Sequence, residues 1–169
     1  AAMSVKGAAD LAARNETLGV TLGIIAQNAG YSGEQVQGYE KELKKLGITT
    51  SSSRESMMGM IQAGLELGPV VEGSASQVAL LARASQDLAV AQGTNSSETL
   101  KGLIRNIQQL DVMGLRMQGI TVDLNAAYID YAKSINKSAN ALSQQEKQQA
   151  AANAVMEKAK GLAGAYEAS

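Results

Sequence analysis

Five glycines, at positions 30, 47, 68, 93 and 119, each close a stretch of helical apolar spacing, and a residue able to start a new helix follows each of them. Glycine tolerates the left-handed backbone that ends a helix, whereas serine, threonine, asparagine and aspartate side chains accept the free amides that begin one. Punctuation of this kind predicts short helices folded back on one another, and argues against both one long rod and a sheet.

Between these stops the apolar positions recur every three or four residues, the spacing of one helix face. Ala8, Leu11, Asn15, Leu18, Leu22, Ile25 and Ala29 line a first helix from about Val5 to Ala29. Ser32 with Gln35 reads as a capping box opening a second helix, with Val36, Tyr39, Leu43 and Leu46 inward. Leu46-Gly47-Ile48 and Gln118-Gly119-Ile120 share one grammar, a left-handed glycine with a hydrophobic residue behind it. Thr49 or Thr50 caps a third helix through Met57, Met58, Ile61 and Leu65, predicted to end near Gly68-Pro69. Ser74 with Gln77 then opens a helix through Val78, Leu81, Ser85 and Leu88, and Ser96 or Ser97 opens one through Leu100, Leu103, Ile104 and Ile107, followed by a short segment with Val112, Leu115 and Met117. Asp123 caps a helix with Leu124, Tyr128, Tyr131 and Ile135 inward. Ser143 with Glu146 opens the last, through Ala152, Val155, Ala159, Leu162 and Tyr166.

Composition agrees with this. Apolar residues make up 45% of the 169, yet there is no Trp or Phe and aromatics reach only 3%, so alanine carries the excess and strand formers are sparse. The expected fold is all-α, a compact domain of about six to eight short helices with glycine-capped turns, spanning residues 4–169. Ala165–Ser169 supplies neither a stop signal nor a polar tail, which predicts a fragment of a longer chain. Residues 1–3 are either a cloning scar or native continuation.

The inventory for chemistry is thin. With no His and no Cys, the commonest general base, the usual transition-metal ligands and the thiol nucleophile are all missing. Ser134 and Lys137 match S-x-x-K, but no K-T-G element accompanies them. Asp123 and Asn125 begin a calcium-loop pattern and do not finish it. Met57, Met58 and Met60 read as pliable core rather than a binding groove. Gly19 and Gly23 give a GxxxG spacing of little weight in a segment this short, and Asn15 could set register in a helix pairing. No catalytic, cofactor-binding or metal-ligating residue is assigned, and the chain reads as a non-enzyme.

Fifteen basic and sixteen acidic residues give a formal charge of -1. They interleave as helix neighbours, Asp10 with Arg14, Glu40 with Lys44, Arg83 with Asp87 and Glu157 with Lys160, so no specific nucleic-acid site is expected. The apolar run Leu18–Ala26 is about half a bilayer span, and no membrane anchor is expected.

Four segments then carry a resemblance: LGITTSSSRESMMGMIQAGLEL from Leu46, LARASQDLAVAQGTNSSETLKGLIRNIQ from Leu81, LRMQGITVDLNAAY from Leu115 and LSQQEKQQAAANAVM from Leu142, closing with GAYEAS from Gly164. In order and spacing they resemble the tape-measure proteins of long-tailed bacteriophages and prophages. That resemblance implies a structural protein of the tail-tube lumen. It would set tail length during assembly in the host cytoplasm and be released with the DNA. The implied partners are the tail tube protein, the tail assembly chaperones and the tail-tip proteins, and self-association through the alanine-rich faces is open. No cofactor is implied. The competing reading is a cytoplasmic helical adaptor that binds a partner helix in a groove.

Overall fold

Each helix begins where a side-chain oxygen takes up an amide that the helix itself cannot satisfy. The computed structural model describes residues 4–69 and 73–162. Among these are eight α-helices: α1 Val5–Asn28, α2 Gly33–Lys45, α3 Thr50–Gln62, α4 Gln77–Gln92, α5 Ser96–Gln108, α6 Val112–Met117, α7 Leu124–Ser134 and α8 Gln144–Ala159. No strand occurs among the described residues. The all-helical, multi-helix fold expected from the glycine stops is the one observed.

Of three expected capping boxes, those of Ser32 with Gln35 and Ser143 with Glu146 form, and that of Ser74 with Gln77 does not. Thr49 and Asp123 cap α3 and α7 as the sequence predicts. The two Gly-Ile stops close by the same pair of bonds. Gly47 has φ 81°, its amide donates to Lys44 O, and Ile48 N donates to Leu43 O at 3.0 Å. Gly119 has φ 100°, and Ile120 N donates to Leu115 O at 2.9 Å. In each case the hydrophobic residue behind the glycine is driven into the core, where Ile48 and Ile120 are both buried.

Five local expectations move. Helix α3 stops at Gly64 (φ 77°) rather than near Gly68, because Leu65 N reaches back to Met60 O at 2.9 Å. Gly68 is small for another reason: an added Cβ would lie 2.8 Å from the Tyr39 hydroxyl. The α4 cap is Ser76, not Ser74, and the α5 cap is Asn95, whose Oδ1 accepts from both Ser97 N and Glu98 N, rather than Ser96 or Ser97. Met60 is fully buried beside Met57, while Met58, Ile61 and Leu46 are only partly covered. In α7 the buried residues are Ala127 and Ala132, with Leu124, Tyr128, Tyr131 and Ile135 half-buried. That helix has α8 as its main neighbour, and alanine lets the two axes approach while the larger side chains flank the contact.

Helices α4 and α5 form the centre. Leu81, Leu88, Leu100, Leu103 and Ile107 are buried there, and truncating any one to alanine would cost about 2–5 kcal/mol. Polar residues of α4 are buried as well, and Ser85 Oγ donates to Leu81 O at 2.8 Å. Helix α3 packs between α5 and α1, α2 covers α3 and α4, and α8 lies across α4 and α5 with α7 outside it. Helices α1 and α7 are therefore the two edges.

Helix α1 departs most from the single inward face expected of it. Leu22 and Ala26 are buried, but Ala8, Leu11 and Ala29 are exposed. Arg54 of α3 contacts the level of Asn15 and Gly19, and Tyr31 beyond α1 meets Leu67 beyond α3, so the two helices run alongside each other in the same sense. Because α3 starts only one turn before Arg54, the opening turns of α1 extend past α3, their main neighbour among the described residues. Val5 is accordingly 89% exposed and Leu11 40%. The expected positions Leu162 (its side chain) and Tyr166, the closing segment from Gly164, and residues 1–3 lie outside the described residues.

Candidate functional site

Ser134 and Lys137, three positions apart, are engaged separately. Ser134 Oγ donates to Tyr131 O at 2.6 Å, closing the end of α7. Asn136, at φ 56°, turns the chain, and Lys137 Nζ then donates to both carboxylate oxygens of Glu146 at 2.9 Å. That carboxylate also accepts from Ser143 N, so one acid closes a capping box and anchors the preceding loop. Its pKa is lowered, first by the backbone bond from Ser143 and then by the Lys137 side chain. Asp123 Oδ1 is spent on Ala126 N at 3.2 Å. No group of three or more acids is placed to hold a metal ion among the described residues, and none of their helices is long and apolar enough to cross a membrane.

Cross-helix pairs replace two of the expected helix-neighbour pairs. Arg14 reaches Glu55 rather than Asp10. Glu40 takes Arg54 Nε at 2.7 Å rather than Lys44. Glu55 also receives Lys101 at 3.4 Å, and Lys101 pairs with Glu98 at 2.9 Å. Glu157 and Lys160 do pair as neighbours, at 2.9 Å. The Glu98 bond, ahead of the other influences on it, raises the Lys101 pKa.

Two features of the GxxxG segment were not legible from sequence. Arg54 donates to the backbone carbonyl of Asn15 through Nη1, and its guanidinium fills the space above Gly19. No atom of the described residues lies within 4 Å of where a Cβ on Gly23 would be. Asn15 thus sits at the α1–α3 joint, with its own Oδ1 buried and without a partner.

Two depressions stand out among the described residues. One is an open groove of about 490 Å³ between α7 and α8, floored by Val122, Ala126, Ala127, Ala150 and Ala154 and rimmed by Asp123, Asp130, Glu157 and Lys158. The other, of about 290 Å³, lies between α2 and the start of α3. Its local signal was present in the sequence, since Gln37, Glu40, Lys41 and Lys44 recur at three- and four-residue spacing and share one face of α2. Compared with known proteins, the chain matches no family model, no curated protein and no solved structure.

Proposed function

We propose that this chain is a folded helical domain of a phage tape-measure protein, acting by docking to other tail components rather than by catalysis. What carries the reading is the set of four segments resembling that family. Leu46–Leu67, Leu81–Gln108, Leu115–Tyr128 and Leu142–Met156 each hold a helix start or stop together with residues of the shared core.

A ruler made of helix lengthens by about 1.5 Å per residue, so 169 residues in one rod would span about 250 Å. The longest helix among the described residues has 24 residues, about 36 Å. In this proposal the domain is an anchoring piece, and the stretch that sets tail length lies elsewhere in the parent protein. In-frame deletions within residues 32–140 test it. Abolished or aberrant tail assembly is the expected outcome, and tails shortened in strict proportion to the residues removed would refute it.

The α7–α8 groove supports the second reading, a helical adaptor. Its alanine floor admits a close helix backbone, and its three acids against one lysine suit a partner helix with basic flanks. The parent reading frame separates the two. A tape measure continues for several hundred residues beside tail genes, and an adaptor does not.

A further inference from the structure

On the docking role that both readings above give this chain, we infer that the α7–α8 groove receives one helix of another protein. That helix is lined with small residues toward the groove floor and carries Lys or Arg two turns apart on the flank that meets Asp123 and Asp130.

Helix α7 has α8 as its main neighbour. Lys137, just past the end of α7, is bonded to Glu146 in the first turn of α8, so the two helices double back as a hairpin, and it is α8 that packs on α4 and α5. A hairpin of this kind leaves a groove along its side, and in a bundle a third helix fills it. Ala126, Ala127, Ala150 and Ala154 floor the groove here, which holds about 490 Å³. With only methyl groups on that floor, a partner backbone can close to about 8 Å, the near limit of helix spacing, if its own seam is Gly, Ala or Ser.

The two walls differ in charge. On the α8 wall Glu157 is paired with Lys160 at 2.9 Å and Lys158 stands next to it, so that side is balanced. On the α7 wall Asp123 uses one oxygen on Ala126 N, and neither Asp123 nor Asp130 has an ion-pair partner among the described residues. Seven positions apart, the two acids share a face of α7 and lie about 10 Å apart along it. A helix running along the groove presents the same face again after seven residues, so basic side chains at that spacing meet both acids at once.

This chain does not supply that pattern itself. No two of its fifteen basic residues stand seven apart. Lys6 and Arg14, eight apart, come nearest, and Arg14 is held by Glu55. The occupant is therefore a different protein rather than a second copy.

The test uses the whole chain and a designed helical peptide of about 20 residues, with an alanine seam and two flank lysines seven residues apart. An isomer has its second lysine moved two positions on, to the far side of the helix. Methyl-resolved NMR at about 0.15 M salt should show saturable shifts on Ala126, Ala127, Ala150 and Ala154 with the peptide, and the isomer should bind about fivefold or more weakly. Asp130→Lys, at an exposed position, should keep the fold and weaken peptide binding by roughly tenfold, because an attraction becomes a repulsion. Of the two peptides with glutamate in place of one lysine, one should bind Asp130→Lys within about threefold of the original pair, and which one does so fixes the direction of the helix. Asp10→Lys on α1, the same change of net charge away from the groove, should alter binding less than about twofold. Equal binding by the isomer, equal weakening by Asp10→Lys, or no recovery with either glutamate peptide would overturn the proposed occupant; the docking role itself would still be decided by the deletion experiment.

Discussion

The guanidinium of Arg54 lies where a side chain at position 19 would be, with Nη1 2.8 Å from the Cβ that Gly19 lacks. Gly23, one turn on, faces open space. Two chemically identical substitutions should therefore behave differently. Gly23→Ala gains helix propensity and should stabilise by about 0.5–1 kcal/mol. Gly19→Ala makes the same gain but displaces Arg54 from the Asn15 carbonyl and disturbs its pair with Glu40. It should fall below Gly23→Ala by about 1–3 kcal/mol. Urea midpoints at unchanged m-value measure the difference, and equal midpoints would show that Arg54 contributes nothing at this joint.

Gly114 is tighter still. A Cβ there would lie 2.6 Å from Asn106 Oδ1 and 2.7 Å from Asp111 Oδ2. Neither oxygen is free to retreat, because Asn106 donates to Gln118 Oε1 at 2.7 Å and Asp111 caps α6 through Gly114 N. Gly114→Ala should lose about 1–3 kcal/mol by breaking this amide chain between α5 and α6. Thermal unfolding checks it, and a variant as stable as the parent would mean the loop relaxes without cost.

Asn136 holds a left-handed backbone, φ 56°, that ends α7 and lets Lys137 N return to Ala132 O at 2.8 Å. Glycine adopts that conformation without penalty and a β-branched residue does not. Asn136→Gly should be neutral or stabilising by a few tenths of a kcal/mol, and Asn136→Val should cost about 1–2 kcal/mol. The order of the two midpoints is the informative result, and its reversal would exclude backbone strain as the determinant.

The lowered pKa of Glu146 makes a pH prediction with a definite sign. A carboxylate whose folded pKa lies below its ordinary value stabilises the fold fully above that ordinary value, 4.5, and loses the contribution as pH falls through the lower, folded value. Folding stability should thus be level from neutral pH down to that region and decline below it. Glu146→Gln, which keeps an acceptor for Ser143 N but loses the charge facing Lys137, should flatten that part of the decline. An unchanged acid limb in this variant would assign the acid sensitivity to other carboxylates.

Helix starts and stops were legible because they are local chemistry. A Ser32 oxygen three residues ahead of its amide, or a glycine followed by Ile48, declares itself without reference to the rest of the chain. What sequence could not show were distances across the fold. Gly68 looked like a stop and is a seat for the Tyr39 hydroxyl; Gly64, one turn earlier, is the stop. Leu110 takes a left-handed conformation that its residue type does not announce, closing α5 as Asp111 N returns to Asn106 O at 2.8 Å. The depression between α2 and α3 was half legible. The shared face of Lys41 and Lys44 is in the sequence, but the diversion of Glu40 to Arg54 depends on a residue fourteen positions away in another helix.

The overhang of α1 has a consequence for how that helix is held. An isolated helix of about ten residues is too short to persist in water, since nucleation is costly and each added residue gains little. The turns around Val5 are therefore sustained from the far end, seeded where Leu22 and Ala26 are clamped in the core. Amide exchange should quicken steadily from Ala26 back toward Val5, a fraying gradient rather than a single melting step.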